Sequence, residues 1–155
     1  MKMSPWLLAA SLLICLPSWS ETGMVGKPAP KVPGLEQTSG PVLIDFWASW
    51  CGPCQESFPW MNQLKTTYPE LTIIAVNLDE DRADAQKFLA GKNIQFDIVY
   101  DSAGALAEQF QVDGMPSSYL VNADGVIIEQ HTGFFSDKIP AYEASVEALL
   151  HNEAP

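Results

Sequence analysis

The residues Trp50-Cys51-Gly52-Pro53-Cys54 follow directly on the apolar run that begins at Val42. A run this continuous predicts a central strand covered on both faces, since a half-wet strand would alternate. Pro53 suits only the first turn of a following helix, where its missing N–H costs no hydrogen bond. Cys51 then falls at the helix N-terminus, whose unpaired N–H groups and dipole favour a thiolate. Paired with Cys54, it can close a small disulfide and reopen it. Such a pair is also half of a zinc site. The other half is missing, because the third cysteine is Cys15 and the two histidines, His131 and His151, lie far apart. No metal is expected, and no cofactor beyond the Cys51-Cys54 disulfide.

The rest of the chain alternates strands and helices. A helix is predicted from Pro53 to Tyr68, with Pro59 kinking its interior. Leu71 to Leu78 reads as a second buried strand. Asp79 to Lys92 reads as an amphipathic helix with an acidic first turn, ended by Gly91. Phe96 to Tyr100 is a short strand and Ala103 to Phe110 a short helix. Ser117 to Val121 and Val126 to Gln130 flank Asn122-Ala123-Asp124-Gly125, a hairpin pattern with Asp-Gly at the turn. Ser136 to Leu150 closes the chain as a helix with Ile139, Tyr142, Val146, Leu149 and Leu150 on one face. The order implies an α/β fold, a central mixed sheet flanked by helices.

Residues 1–20 read as a signal peptide. Lys2 is followed by the apolar stretch Trp6 to Leu16, shorter than the ~20 residues that span a bilayer. Pro17 ends it, and Ser18 and Ser20 put small residues where a signal peptidase cuts, so cleavage is expected before Glu21 with release into the periplasm. Bulky Ile14 before Cys15 argues against lipidation there. Residues 21–40 read as an irregular lead-in holding Pro28, Pro30 and Pro33, and residues 41–155 as one domain.

The chain carries 8 basic and 19 acidic residues, a net charge of −11. That balance excludes nucleic acid or anionic lipid as electrostatic partners. An exported chain whose remaining cysteines form one C-x-x-C uses them for chemistry, since so short a loop staples little.

The stretch Phe46-Trp47-Ala48-Ser49-Trp50-Cys51-Gly52-Pro53-Cys54 resembles thioredoxin, and the order of elements resembles the thioredoxin superfamily throughout residues 21–155. Gly114-Met115-Pro116 is similar to the superfamily's cis-proline loop. The helix–strand unit within Asp81 to Tyr100, inserted before that loop, resembles the exported TlpA/ResA-type branch. So do Gly26-Lys27-Pro28-Ala29-Pro30 and the hairpin turn Val121 to Gly125. The resemblance implies a thioredoxin fold and a thiol–disulfide oxidoreductase. Gly52-Pro53 matches the reducing members, which implies a reductase of protein disulfides, with cytochrome c maturation as a candidate setting. It implies protein disulfides or thiols as substrates and a membrane thiol donor of the DsbD or CcdA kind. A monomer is expected.

The same resemblance assigns Cys51 the attack and Cys54 the resolution of a mixed disulfide. Trp50, Gly52, Pro53, Met115 and Pro116 are the expected substrate contacts. Asp45 occupies the place of thioredoxin's buried carboxylate, but the lysine usual beside it aligns with Ala75. The glutamate common in the exported branch is here Ser57. A strand-centre acid without a cation should have a raised pKa and can exchange a proton with Cys54. Trp47 reads as core, and Trp60 fits either core or contact surface. His131 reads as a surface residue, and Asp79, Glu80, Asp81 and Asp84 as a helix cap. Alternatives left open are a disulfide-forming oxidase, a peroxidase, and a non-catalytic adaptor in which the cysteines are idle.

Overall fold

The computed structural model of the chain describes residues 23–152. The expected signal peptide, its cleavage point and Cys15 lie outside the described residues. Five strands, β1 (Val42–Trp47), β2 (Thr72–Asn77), β3 (Asp97–Tyr100), β4 (Ser117–Val121) and β5 (Ile127–Thr132), form one sheet in the order β3-β2-β1-β4-β5. Strands β1, β2 and β3 are parallel, whereas β4 pairs antiparallel with both β1 and β5. The helices are α1 (Gly52–Thr67), α2 (Arg82–Leu89), α3 (Ala105–Gln109) and α4 (Ile139–Asn152). This is the expected mixed α/β sheet, with α2 and β3 as the inserted unit and β3 at the sheet edge.

β1 is buried along its whole length, as its unbroken apolar run requires. Its residues divide between the faces by the period of two. Leu43 and Trp47 join α1, α2 and α4 in one core, with Phe58, Met61, Leu64, Ala85, Tyr142, Val146 and Leu149. Val42, Ile44 and Phe46 join a second core with Ile74, Val76, Phe110, Tyr119 and Ile127, onto which α3 packs. Asp45 alternates onto the face of Leu43 and Trp47. It is the centre of the sheet's middle strand, paired with Ala75 on one side and Ser118 on the other.

The hairpin forms where Asp-Gly predicts a turn. Gly125 stands at φ +77°, and its N–H donates to Asn122 O at 2.9 Å. The lead-in is more ordered than its prolines suggest. Gly26 N–H donates to Ile127 O at 2.7 Å, Ala29 N–H to Gly125 O at 2.8 Å, and Lys27 O accepts from Ile127 N–H at 2.9 Å. The segment therefore lies along the start of β5 and covers that sheet edge, while Met24 and Val32 are buried in the second core. Helix α2 starts later than Asp79: Asp81 is its N-cap, accepting from Ala83 N–H at 2.9 Å.

Candidate active site

Cys51 is the N-cap of α1, and Pro53 stands in the first turn. The Cys51 sulfur accepts a hydrogen bond from Cys54 N–H at 3.3 Å, so a free helix donor points at the atom that would carry the thiolate. The two sulfurs are joined in a disulfide. Their exposure differs: Cys51 retains 5% and Cys54 none. Of the two sulfur-bearing residues, only Cys51 can therefore be touched from solvent. Around them Gly52 and Pro53 are exposed, and Trp50 is 71% exposed. The bare Trp50 indole thus lies beside the buried cysteine pair. Trp47 and Trp60 are both core residues.

Because β4 runs antiparallel to β1 with Ser117 opposite Phe46, the loop before β4 reaches the sheet end where β1 leads into Cys51. The Met115-Pro116 bond in that loop is cis. Pro116 O accepts from Gly133 N–H at 2.7 Å, which ties the loop to the end of β5. Gly133 holds φ +84°, and a Cβ there would lie 2.9 Å from the Phe135 ring. Met115 is half-buried and Pro116 buried.

Asp45 is 1% exposed. Its Oδ1 accepts from Ser118 Oγ at 2.6 Å, and its Oδ2 has no partner in the protein. Burial drives its carboxyl from the ordinary 3.8 up to about 7, with the Ser118 hydroxyl holding it back in part. Opposite it stands Ala75, so no cation occupies that neighbouring position. A carboxyl half-ionised near neutral pH, buried behind the cysteine helix, can take or return a thiol proton. Ser57 is also buried, but its Oγ donates to Cys54 O at 2.9 Å within the helix and replaces no acid.

Two residues were not singled out for these roles in the sequence. Ser118 is one; only the β1–β4 register puts it on Asp45. Asp79 is the other, and it is not the helix cap expected of it. Its buried carboxylate accepts from Ser49 N–H at 3.0 Å, Ser49 Oγ at 2.9 Å and Asn77 Nδ2 at 2.7 Å. It thus anchors the segment just before Trp50 and Cys51. His131 is likewise not a plain surface residue: its Nε2 meets Glu129 Oε1 at 2.9 Å and its ring packs edge-on against Tyr142 at 4.7 Å. No group of metal-ligating side chains occurs among the described residues.

The Redoxin family profile matches residues 25–150. The chain is 32% identical over 94 residues to the thiol-disulfide oxidoreductase ResA of Bacillus thuringiensis subsp. konkukian, covering 59% of this chain and 54% of that protein. The chain thus spans about half the length of such ResA relatives, 54% in this case. It is 29% identical over 137 residues to the thiol:disulfide interchange protein DsbE of Yersinia pestis, covering 79% of this chain and 72% of the relative. A crystal structure of a Chlorobium tepidum protein assigned as thiol:disulfide interchange protein DsbE superposes with a TM-score of 0.77 at 39% identity, covering 81% of this chain and 97% of that one. With the fold, the cysteine pair and the family profile in agreement, the chain belongs to the Redoxin family, on the TlpA/ResA-like branch of the thioredoxin superfamily.

Proposed function

We infer that the protein is a thiol–disulfide oxidoreductase that works as a reductase of protein disulfides outside the cytosol. The observation that carries the thiol–disulfide exchange is the Cys51 sulfur at the start of α1, held on the Cys54 N–H and bonded to a fully buried Cys54. In the reduced protein, the Cys51 thiolate attacks one sulfur of a substrate disulfide. The substrate S–S bond breaks, and the departing sulfur takes a proton from water. Cys54 then passes its thiol proton to Asp45 and attacks the Cys51 sulfur. The second substrate thiolate leaves, and two electrons have moved from the cysteine pair to the substrate. Trp50 and the Met115-Pro116 loop offer the surface on which an extended substrate would lie.

The reducing direction rests on Gly52-Pro53 and its likeness to thioredoxin. Thioredoxin and the oxidant DsbA differ by ~150 mV, or ~7 kcal/mol for two electrons, so direction is a measurable property. A reductase in an oxidising compartment needs a membrane dithiol donor of the DsbD or CcdA kind, and apocytochrome c thiols are the candidate substrates. Export itself rests on the Lys2 to Ser20 pattern. No helix among the described residues is long and apolar enough to cross a membrane.

The test is an insulin reduction assay with a chemical electron donor, run beside a redox titration of the pair. The protein should accelerate disulfide cleavage. Cys51→Ser should abolish turnover, and Cys54→Ser should accumulate mixed disulfides. A potential close to that of DsbA would reverse the direction, and full function in the Cys51→Ser variant would leave only an adaptor role. Mass spectrometry of protein from its host should find a chain starting near Glu21. A lipid on Cys15 would overturn free export.

A further inference from the structure

The function proposed above requires Asp45 to lose its proton to solvent before it can take the one from Cys54, yet Asp45 is 1% exposed. The sheet provides a way out. Ser118 stands opposite Asp45, and His131 stands opposite Ser118 on β5. Directly opposed residues share one face of a sheet, with Cβ atoms ~4.5–5.5 Å apart. The inner end of this row is the 2.6 Å bond from Ser118 Oγ to Asp45 Oδ1. The outer end is the His131–Glu129 pair, whose side chains are 31% and 32% exposed. Between the ends lies a cavity of about 20 Å³ bordered by Ser118, His131, Glu129, Trp60 and Tyr142. That volume holds one water, which needs two to four polar partners. Ser118 Oγ and the His131–Glu129 pair can provide them. So can Trp60, whose buried Nε1 has no partner in the protein.

We propose that Ser118, a water in this cavity and the His131–Glu129 pair form the proton path between Asp45 and solvent. Ser118, the water and His131 can each accept and donate at once, as hydroxyls, water and imidazole do, and the Glu129 carboxylate accepts. When Asp45 is protonated, the Ser118 hydroxyl turns to accept from it, and as the carboxyl proton passes to Ser118 Oγ, Ser118 releases its own proton to the water. The water passes a proton to His131 Nδ1, since Nε2 faces Glu129. The imidazolium then loses its Nε2 proton to bulk water, either directly or by way of Glu129, which passes it on. Asp45 is left as a carboxylate, one proton has reached solvent, and no electrons have moved. Ser118 and His131 touch no reacting sulfur. They are positioning residues that act through Asp45. The ionisable groups bordering the path are Asp45 from β1, Glu129 and His131 from β5, and Tyr142 from α4.

The test mixes the reduced, full-length protein with an aromatic disulfide in a stopped-flow instrument. The first phase reads attack by Cys51 and the second reads resolution by Cys54. In weakly buffered neutral solution, His131→Gln should slow the second phase roughly tenfold, a fraction of the ~10²–10⁴ of full acid–base catalysis. It should leave the first phase and the carbon-13 titration of Asp45 unchanged, and added imidazole should restore the rate. Ser118→Ala should slow the same phase and raise the Asp45 titration, whereas Ser118→Thr should restore both. If both losses resolve at the parental rate while Asp45→Asn stays slow, the path is wrong and Asp45 keeps its role. If Asp45→Asn also resolves at the parental rate, Asp45 shuttles no proton and the path falls with it. A slow His131→Gln that imidazole cannot rescue, with a shifted Asp45 titration, would make His131 structural and overturn the path.

Discussion

Phe46 and Trp47 are neighbours in β1 and fall on opposite faces of the sheet, in different company. Phe46 packs against Phe110 and Tyr119 at ring distances of 5.2 and 5.8 Å, and the Tyr119 hydroxyl donates to Phe110 O at 2.8 Å. Among the described residues, no buried side-chain polar atom on that face is without a partner. Trp47 shares its face with Asp45 and Trp60, and there Asp45 Oδ2, Trp47 Nε1 and Trp60 Nε1 are buried without a protein partner. These are the unpaired buried side-chain atoms among the described residues, and all of them lie on the cysteine side. Leaving such a group unpaired costs ~1–3 kcal/mol. The side chains buried on one face are paired, and the other face holds one titratable group, Asp45, beside two indole N–H groups that can only donate.

The largest effect should come from the unpaired acid. Asp45→Asn should slow resolution of a mixed disulfide by ~10²–10⁴-fold, read as the second stopped-flow phase, with attack by Cys51 much less affected. The same change should stabilise the oxidised protein. The folded carboxyl titrates at about 7 against 3.8 when free, so ionising it removes stability as pH rises through that interval. Below the lower value the loss is absent. Urea unfolding should therefore show the variant gaining on the parent between acid and neutral pH, by at most about 4 kcal/mol. An unpaired amide N–H at the Oδ2 position would take back ~1–3 kcal/mol of that. A gap that stays flat with pH would mean that Asp45 is solvated.

Phe46→Ala tests the other face. Emptying that aromatic cluster should cost ~3–5 kcal/mol in urea unfolding. The folded fraction should resolve mixed disulfides at the parental rate. Equal damage to resolution would break the division of labour between the faces. Asp79→Ala comes next: Ser49 N–H, Ser49 Oγ and Asn77 Nδ2 would lose their acceptor, at ~1–3 kcal/mol. Its kinetic mark should be a slower first phase, since Asp79 anchors the segment that leads into Cys51. The smallest effect belongs to Ser57→Ala. A hydroxyl bonded back to a carbonyl of its own helix contributes little, so unfolding should shift by less than ~0.5 kcal/mol and neither phase should move.

Much of this was legible along the chain because it depends on local spacing. The unbroken apolar run marked β1 as central, Pro53 marked the start of α1, and Asp-Gly marked the hairpin turn, each within a few residues. The lead-in is irregular, as expected, but its tertiary contacts were not legible. Its prolines exclude regular strand, but backbone groups at Gly26 and Lys27 pair with Ile127 of β5, and Ala29 with Gly125 of the hairpin turn, across about a hundred residues of chain. Asp79 was misjudged because an acidic cluster before a helix looks alike at every position, and only Asp81 turned out to cap it.

Cys51, Cys54, Pro53 and Asp45 are legible in the sequence alone, because a thiolate at a helix start and an acid within an apolar strand are each defined by their immediate neighbours. What stands across from them is a matter of register. Sliding β4 by one residue against β1 would turn Ser118 to the opposite face and set Ser117 or Tyr119 against Asp45 in its place. The same holds for His131 on β5. Strand pairing is decided by the packing of the whole sheet and its two cores. The partners of Asp45 therefore exist only in the tertiary structure.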